Sequence, residues 1–230
     1  MRACHISRGM LRCEADDFAD GCLCAVAFHP CPPDEMLIAT CALDKREVGL
    51  WRLCTEGRFT LKKYHVEPTS ADVTSLSFPH DGTVLALGSG IWHDEAMESS
   101  VSVQLWSLTM QHFQFKLEGD AGSGCAQAVA FSPVSERLVA VAESGKCFVW
   151  NLLNRECLQF FAAHAVSCKD IVHRFFVLFS PNGALLATGS RDTRDGLRLW
   201  CSKTWHLLGA LGGRPVAGAL LHHHSQAATC

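Results

Sequence analysis

The chain contains no apolar run approaching the roughly 20 residues a membrane-spanning helix needs, so no span and no membrane partner are expected. Its opening residues, MRACHISRGMLRCEADDF, carry positive charge but lack the apolar core of a secretory signal. There is no basic excess: a net charge of −3 argues against a direct nucleic-acid binder, which wants a basic surface. No glycine-rich phosphate loop is present, because GSGIW at residues 88–92 has no lysine and no following helix. AGSGCAQ at residues 121–127 sets Ser123 and Cys125 between glycines without forming G-x-S-x-G, and it reads as a structural link. None of the thirteen cysteines forms a C-x-x-C pair, and Cys22 and Cys24 stand too close for the usual zinc knuckle. His222, His223 and His224 cannot all face one ion from a strand, since neighbouring side chains alternate sides. No catalytic, cofactor or metal residue is therefore assigned, and an enzyme is not expected.

What is present is a globular composition, 48% hydrophobic and 19% charged over 230 residues, long enough to bury a large core. Several cysteines (Cys24, Cys41, Cys147, Cys157) sit inside apolar segments, where a thiol behaves as a small hydrophobe. With no secretory signal, reduced thiols in cytosol or nucleus are expected.

Residues 175–200, FFVLFSPNGALLATGSRDTRDGLRLW, hold the organising pattern. They read as a strand, a turn at 180–184, a second strand, a charged turn and a third strand ending on Trp200. The unit recurs around AVAFHP, VTSLSFPHDG and AVAFSP, each followed by an apolar strand and then by Trp51, Trp106 or Trp150. Phe28, Phe78, Phe131 and Phe179 are 50, 53 and 48 residues apart; the tryptophans are 55, 44 and 50 apart. A period of roughly 40–50 residues marks a propeller or solenoid. A fourth strand follows each tryptophan (RFTLKKYHV, QHFQFKL, CLQFF, TWHLLGAL), and Gly, Pro and Asp punctuate too often for helices. The expected fold is all-β, a β-propeller of four-stranded antiparallel blades. The blades fall at about residues 24–66, 73–117, 126–161 and 174–211. Residues 1–23 are expected to belong to a preceding blade, and 212–230 to form a tail or the start of a further one.

The pattern FSPNGALLATGS…LRLW resembles the WD-repeat propeller family, over about residues 24–211. In that family a His before the blade, a Ser or Thr, an Asp and the Trp share a hydrogen-bonded network. The matching residues are His164, Ser190 or Thr188, Asp192 and Trp200, with Thr-Arg inserted between Asp192 and the third strand. The other units lack the Gly-His pair, and no tryptophan is followed by Asp. The resemblance implies a ring of about seven blades, within the general range of 4–8. Four units leave the ring incomplete, to be closed by missing blades or by another chain.

In such a meander, turn two of each blade and the link to the next share one end. That end carries the long segments 89–100, 162–173 and 191–196, and long loops on a rigid frame are where binding concentrates. It also holds sixteen acidic residues against five basic ones, leaving seven against fifteen elsewhere. The expected function is a non-catalytic scaffold whose partner is a protein or peptide of basic character, steered by this rim. The candidate contacts are Trp92, His93, Asp94, Glu95 and Glu98, with Arg191, Asp192 and Arg194 from the last loop. One alternative is a regulatory or sensor piece of a larger multidomain protein. Another is a small-ligand binder using the central channel, where the innermost strands offer little beyond Thr74 and Ser75.

Overall fold

The computed structural model describes residues 12–13, 23–30, 36–42, 45–54, 60–68, 72–90, 100–166, 175–190 and 196–211. Among them there are seventeen strands and no helix. Blade 1 is β2 (Leu23–Phe28), β3 (Met36–Ala42), β4 (Lys45–Cys54) and β5 (Thr60–Pro68), with β1 (Arg12–Cys13) lying parallel along the outer edge of β5. Blade 2 is β6 (Asp72–Ser77), β7 (Val84–Gly90), β8 (Ser102–Ser107) and β9 (His112–Glu118). Blade 3 is β10 (Ala126–Phe131), β11 (Arg137–Ala142), β12 (Lys146–Asn151) and β13 (Cys157–Ala162). Blade 4 is β14 (Phe175–Phe179), β15 (Leu185–Ser190), β16 (Leu197–Cys201) and β17 (Leu207–Leu211). The four blades form an arc of a propeller, and the ring is not closed by the sheets.

Turn chemistry cuts the strands to length. In the first turn of blade 4, Asn182 Oδ1 accepts the Ala184 N–H at 3.1 Å, and Ser180 Oγ accepts the Leu185 N–H at 2.9 Å. Gly183 takes a φ of 67° there, and Gly82 a φ of 66° at the matching place in blade 2, a conformation most side chains resist. The third turns use the same left-handed region without glycine, at Gln111, Arg155 and Trp205. In each blade the pairing of third and fourth strands shifts register at the tryptophan: Leu50/Trp51, Leu105/Trp106, Val149/Trp150 and Leu199/Trp200. A turn ending in a left-handed residue and a bulge is a recognised hairpin solution, and it adds local twist.

Both faces of an inner blade are buried because each packs on a neighbour, so its strands are apolar on both sides. The face toward the preceding blade can be called the front. In blade 3 the front carries Val129, Phe131, Leu138, Ala140, Phe148 and Trp150, packed on Val103, Leu105 and Leu117 of blade 2. Its back carries Ala128, Ala130, Val139, Val141, Cys147 and Val149, packed on Phe175, Val177, Leu186 and Trp200 of blade 4. A third cluster joins blade 1 to blade 2 through Ala39, Val48, Leu50, Leu85, Leu87 and Trp106. Trp106, Trp150 and Trp200 therefore each point at the blade before them.

Candidate partner-binding end

The long-loop end is held together by backbone bonds between links and turns. Ser144 N–H donates to the Ser123 carbonyl at 3.0 Å, and Glu143 N–H to Cys125 at 2.8 Å. Ala163 and His164 both donate to the Gly145 carbonyl, at 2.9 and 3.0 Å. Gly145 has a φ of 77°, and a Cβ there would lie 2.3 Å from the His164 carbonyl oxygen. That turn has to be glycine, and it brings the link between blades 3 and 4 onto the top of blade 3.

From this link His164 reaches into blade 4. Its Nε2 lies 3.0 Å from the Thr188 hydroxyl, which also accepts the Trp200 Nε1–H at 2.9 Å. All three residues are buried. Arg198 Nη1 donates to the Ala163 carbonyl at 2.6 Å, tying the same link to β16. Of the two hydroxyls the sequence offers, Thr188 stands between histidine and tryptophan. Ser190 lies two residues along the strand, with its N–H directed to the Gly196 carbonyl at 3.3 Å. Asp192 lies outside the described residues. Blade 1 repeats part of the arrangement, Trp51 Nε1–H donating to Thr40 Oγ1 at 2.8 Å, whereas Trp150 donates to the Glu118 carbonyl at 3.2 Å.

Trp92, His93, Asp94, Glu95, Glu98, Arg191 and Arg194 also fall outside the described residues. Four acids of this end have described side chains. Asp72 pairs with Arg46 at 3.3 Å, Glu118 with Lys116 at 2.6 Å and Asp120 with Lys146 at 3.5 Å. Glu143 accepts the Cys125 N–H at 3.4 Å. Lys116 and Lys146 stand at this end as well, at strand ends that sequence alone does not fix to the residue. The two exposed pairs, at Lys116 and Lys146, contribute little to stability, but they do offset part of the local negative charge.

At the opposite, short-turn end a groove of about 560 Å3 opens between blades 2 and 3, lined by His80, Asp81, Phe115, Pro133, Val134 and Glu136 among others. Its volume is that of a small-ligand cleft. Sequence reasoning passed it by, since short turns carry no length signal and the cleft is made by two blades together. In the channel, the Thr74 hydroxyl is bonded to the carbonyls of Gly88, at 3.0 Å, and Ala126, so it staples blade 2 to blade 3.

Among the described side chains Cys41, Cys125, Cys147 and Cys157 form no disulfide, and the Cys24 and Cys41 sulfurs lie 3.1 Å apart. Cys125 is only 2% exposed. Burial, followed by the Glu143 carboxylate, pushes its thiol from an ordinary 9.0 to about 11, which is the wrong direction for a nucleophile. Burial also pushes Cys147 upward. An unfolded chain releases these protons above pH 9 while the folded one keeps them, so stability present below pH 9 is lost as pH rises. A loss of about 1–3 kcal/mol between pH 9 and 11 is expected. Urea midpoints that stay flat across that window would contradict it. His222, His223 and His224 lie outside the described residues. Among the described residues no cluster could hold a metal ion, and no helix is long and apolar enough to cross a membrane.

Four-stranded blades ranged about one axis, with a tryptophan in every third strand, make the chain an arc of a β-propeller. A family model described as "WD domain, G-beta repeat" matches residues 155–194, from the outer strand of blade 3 through the His164 link to β15. Among solved structures the chain is similar to one titled "Structure of U3-55K", at a TM-score of 0.60 and 18% identity over 82% of this chain and 51% of that one. It is similar also to "Crystal structure of RRP9 WD40 repeats", at a TM-score of 0.58 and 19% identity, with the same 82% and 51% coverage. At these identities the likeness is one of fold, and the chain spans about half the length of either structure. No curated protein sequence matches it.

Proposed function

We propose that the protein is a non-catalytic interaction platform that captures a basic peptide or protein segment at its long-loop end. What supports the reading is the sequence, which assigns the long segments 89–100, 162–173 and 191–196 to one end together with sixteen of the 23 acidic residues. A rigid frame of packed sheets offers loops a fixed geometry, and a rim of one charge raises the encounter rate with the opposite charge. The ion pairs to Lys116 and Lys146 reduce the field near blades 2 and 3. The reading gives the main part to the acids Asp94, Glu95 and Glu98, with Trp92 of the same segment as the aromatic anchor. The free thiols favour a reducing compartment, cytosol or nucleus.

The test is fluorescence anisotropy with a labelled Lys/Arg-rich peptide. Reversing Asp94, Glu95 and Glu98 to lysine should weaken binding about tenfold or more, about 1.4 kcal/mol. Raising salt from low ionic strength to about 0.15 M should weaken the native complex, as screening shortens the reach of exposed charges. Binding indifferent to both changes would sink the acidic-rim reading. A second reading, a small ligand or short peptide at the short-turn end, is favoured by the groove between blades 2 and 3. It predicts that Phe115→Ala impairs ligand capture while the triple reversal does not.

A further inference from the structure

Along the short-turn end, first turns of neighbouring blades touch. His29 Nε2 of blade 1 lies 2.8 Å from the Gly82 carbonyl oxygen of blade 2, and its ring takes the room a Cβ at Gly82 would need. Val134 of blade 3 takes the same room over Gly183 of blade 4. Blade 3 departs from this rule: four residues after Phe131, at the station where blades 2 and 4 have glycine, it has Ser135. There the groove of about 560 Å3 opens between blades 2 and 3. A smaller groove of about 220 Å3 lies between blades 3 and 4. Ser132, Val134 and Ser135 line both, so the first turn of blade 3 is the ridge that separates them. The ridge is held firm by Ser132 Oγ, which accepts the Ser135 hydroxyl at 2.8 Å and the Val134 N–H at 3.4 Å. Val134 is nevertheless 65% exposed on top of it.

The two grooves differ in charge. The larger has apolar walls of Val84, Leu105, Phe115, Phe131 and Leu152, with His80, Asp81 and Glu136 exposed around them. Asp81 uses Oδ1 for the Thr83 N–H and hydroxyl, at 3.1 and 3.0 Å. Among the described residues the Glu136 carboxylate has no hydrogen bond or ion pair. Arg155 lies over the Phe115 ring at 4.4 Å without lining the groove. The smaller groove carries Arg137 and Lys203 beside Trp205, and its lining contains no acid. Arg137 Nη1 donates to the Ser202 carbonyl at 3.3 Å, and the exposed Lys203 ammonium has no partner among the described residues.

We propose that the two grooves together bind one extended peptide segment of a protein partner. Its basic side chain enters the larger groove, its acidic side chain the smaller, and an apolar residue between them rests on Val134. The proposal rests on the second reading above, to which it gives a ligand, and is independent of the long-loop end. Charge complementarity selects the occupant: carboxylates await a cation on one side of the ridge, and cations await a carboxylate on the other. A compact small molecule fills one groove and leaves the other, whereas a chain crossing the ridge meets both. The opposite signs also fix the direction in which the segment lies.

The test is fluorescence anisotropy with labelled peptides, blocked at both ends, that carry one arginine and one glutamate with leucine between them. An extended chain advances ~3.3 Å per residue, so placing the charges about two to five residues apart samples spans of roughly 7–17 Å. One spacing should bind best, about tenfold or more tighter than the same peptide with both charges replaced by glutamine. Glu136→Lys and Lys203→Glu, both at exposed side chains, should each weaken that peptide about tenfold. Glu136→Lys should regain affinity when the peptide arginine becomes glutamate, and Lys203→Glu when the peptide glutamate becomes arginine. Reversing Asp94, Glu95 and Glu98 should change nothing. Affinity shared by the uncharged peptide and lost only in Phe115→Ala overturns the proposal and leaves the groove reading standing. No binding by any peptide overturns the proposal and the short-peptide reading together. Sensitivity to Glu136 without sensitivity to Lys203 overturns the span across the ridge. If either reversal loses its strand signal in circular dichroism, Glu136→Gln and Lys203→Gln are read for the same loss of affinity.

Discussion

Truncating Trp150 to alanine is expected to cost about 3–5 kcal/mol, the range for removing a large aromatic ring from a packed interior. The indole is 1% exposed and fills the interface between blades 2 and 3, the middle of the arc. It stacks on Phe148 with ring centres 5.7 Å apart and planes 18° apart, and its Nε1–H donates to the Glu118 carbonyl at 3.2 Å. The void would open against β-sheet backbone on both sides, which cannot collapse without breaking strand pairing. Trp150→Phe keeps most of the packing and gives up the hydrogen bond, so it should cost about 1–2 kcal/mol, the value of one buried polar contact. Urea denaturation followed by circular dichroism reads both, provided the slope stays constant. An alanine variant within about 1 kcal/mol of the native chain would mean that blades 2 and 3 are not packed as described.

The second large effect is expected at Thr188. Its hydroxyl serves His164 and the Trp200 indole together, and all three side chains are buried. Thr188→Val preserves shape but leaves the indole N–H and the imidazole nitrogen facing a methyl group. Each buried polar group stranded in this way costs about 1–3 kcal/mol, so the variant should lose about 2–6 kcal/mol. Thr188→Ser keeps the hydroxyl and removes one methyl, for about 1 kcal/mol. The order Val worse than Ser, at nearly equal volume for Thr and Val, isolates the hydrogen bonds. The same substitution at Thr40 removes the bond from Trp51 and should cost about 1–2 kcal/mol. If valine and serine behave alike at Thr188, the contacts are not contributing.

Much of the fold was legible because its signals are local. SPNG and PHDG announce turns through a side-chain acceptor followed by a glycine. The tryptophans mark third strands because each bulky indole sits at one register position, from which Trp106, Trp150 and Trp200 reach the preceding blade. Other features depend on pairing and could not be read from one strand alone. Alternation shows that Val26 and Val129 point away from their flanking residues, but not that one meets a neighbour and the other meets water. Thr188 and Ser190 share a face, and only the approach of His164 from the preceding link chooses between them. The parallel addition of β1 to β5 joins residues nearly fifty apart, with no repeat to announce it. At the candidate site, loop length and charge drew attention to residues 89–100. The groove between blades 2 and 3 needed two blades placed side by side before it existed.

The outermost strands have a consequence of their own. Along β5 an edge of backbone donors and acceptors receives β1. β17, at the same station three blades later, has the uncharged sequence LLGAL and leaves Leu207, Leu208 and Leu211 open to water, and among the described residues no strand lies along its outer margin. An extended chain meeting that margin finds an unfilled ladder and a greasy landing on either side. Storage at high concentration should therefore bring templated deposition along this seam, and a single lysine introduced at Ala210 is the lightest change that would interrupt it there.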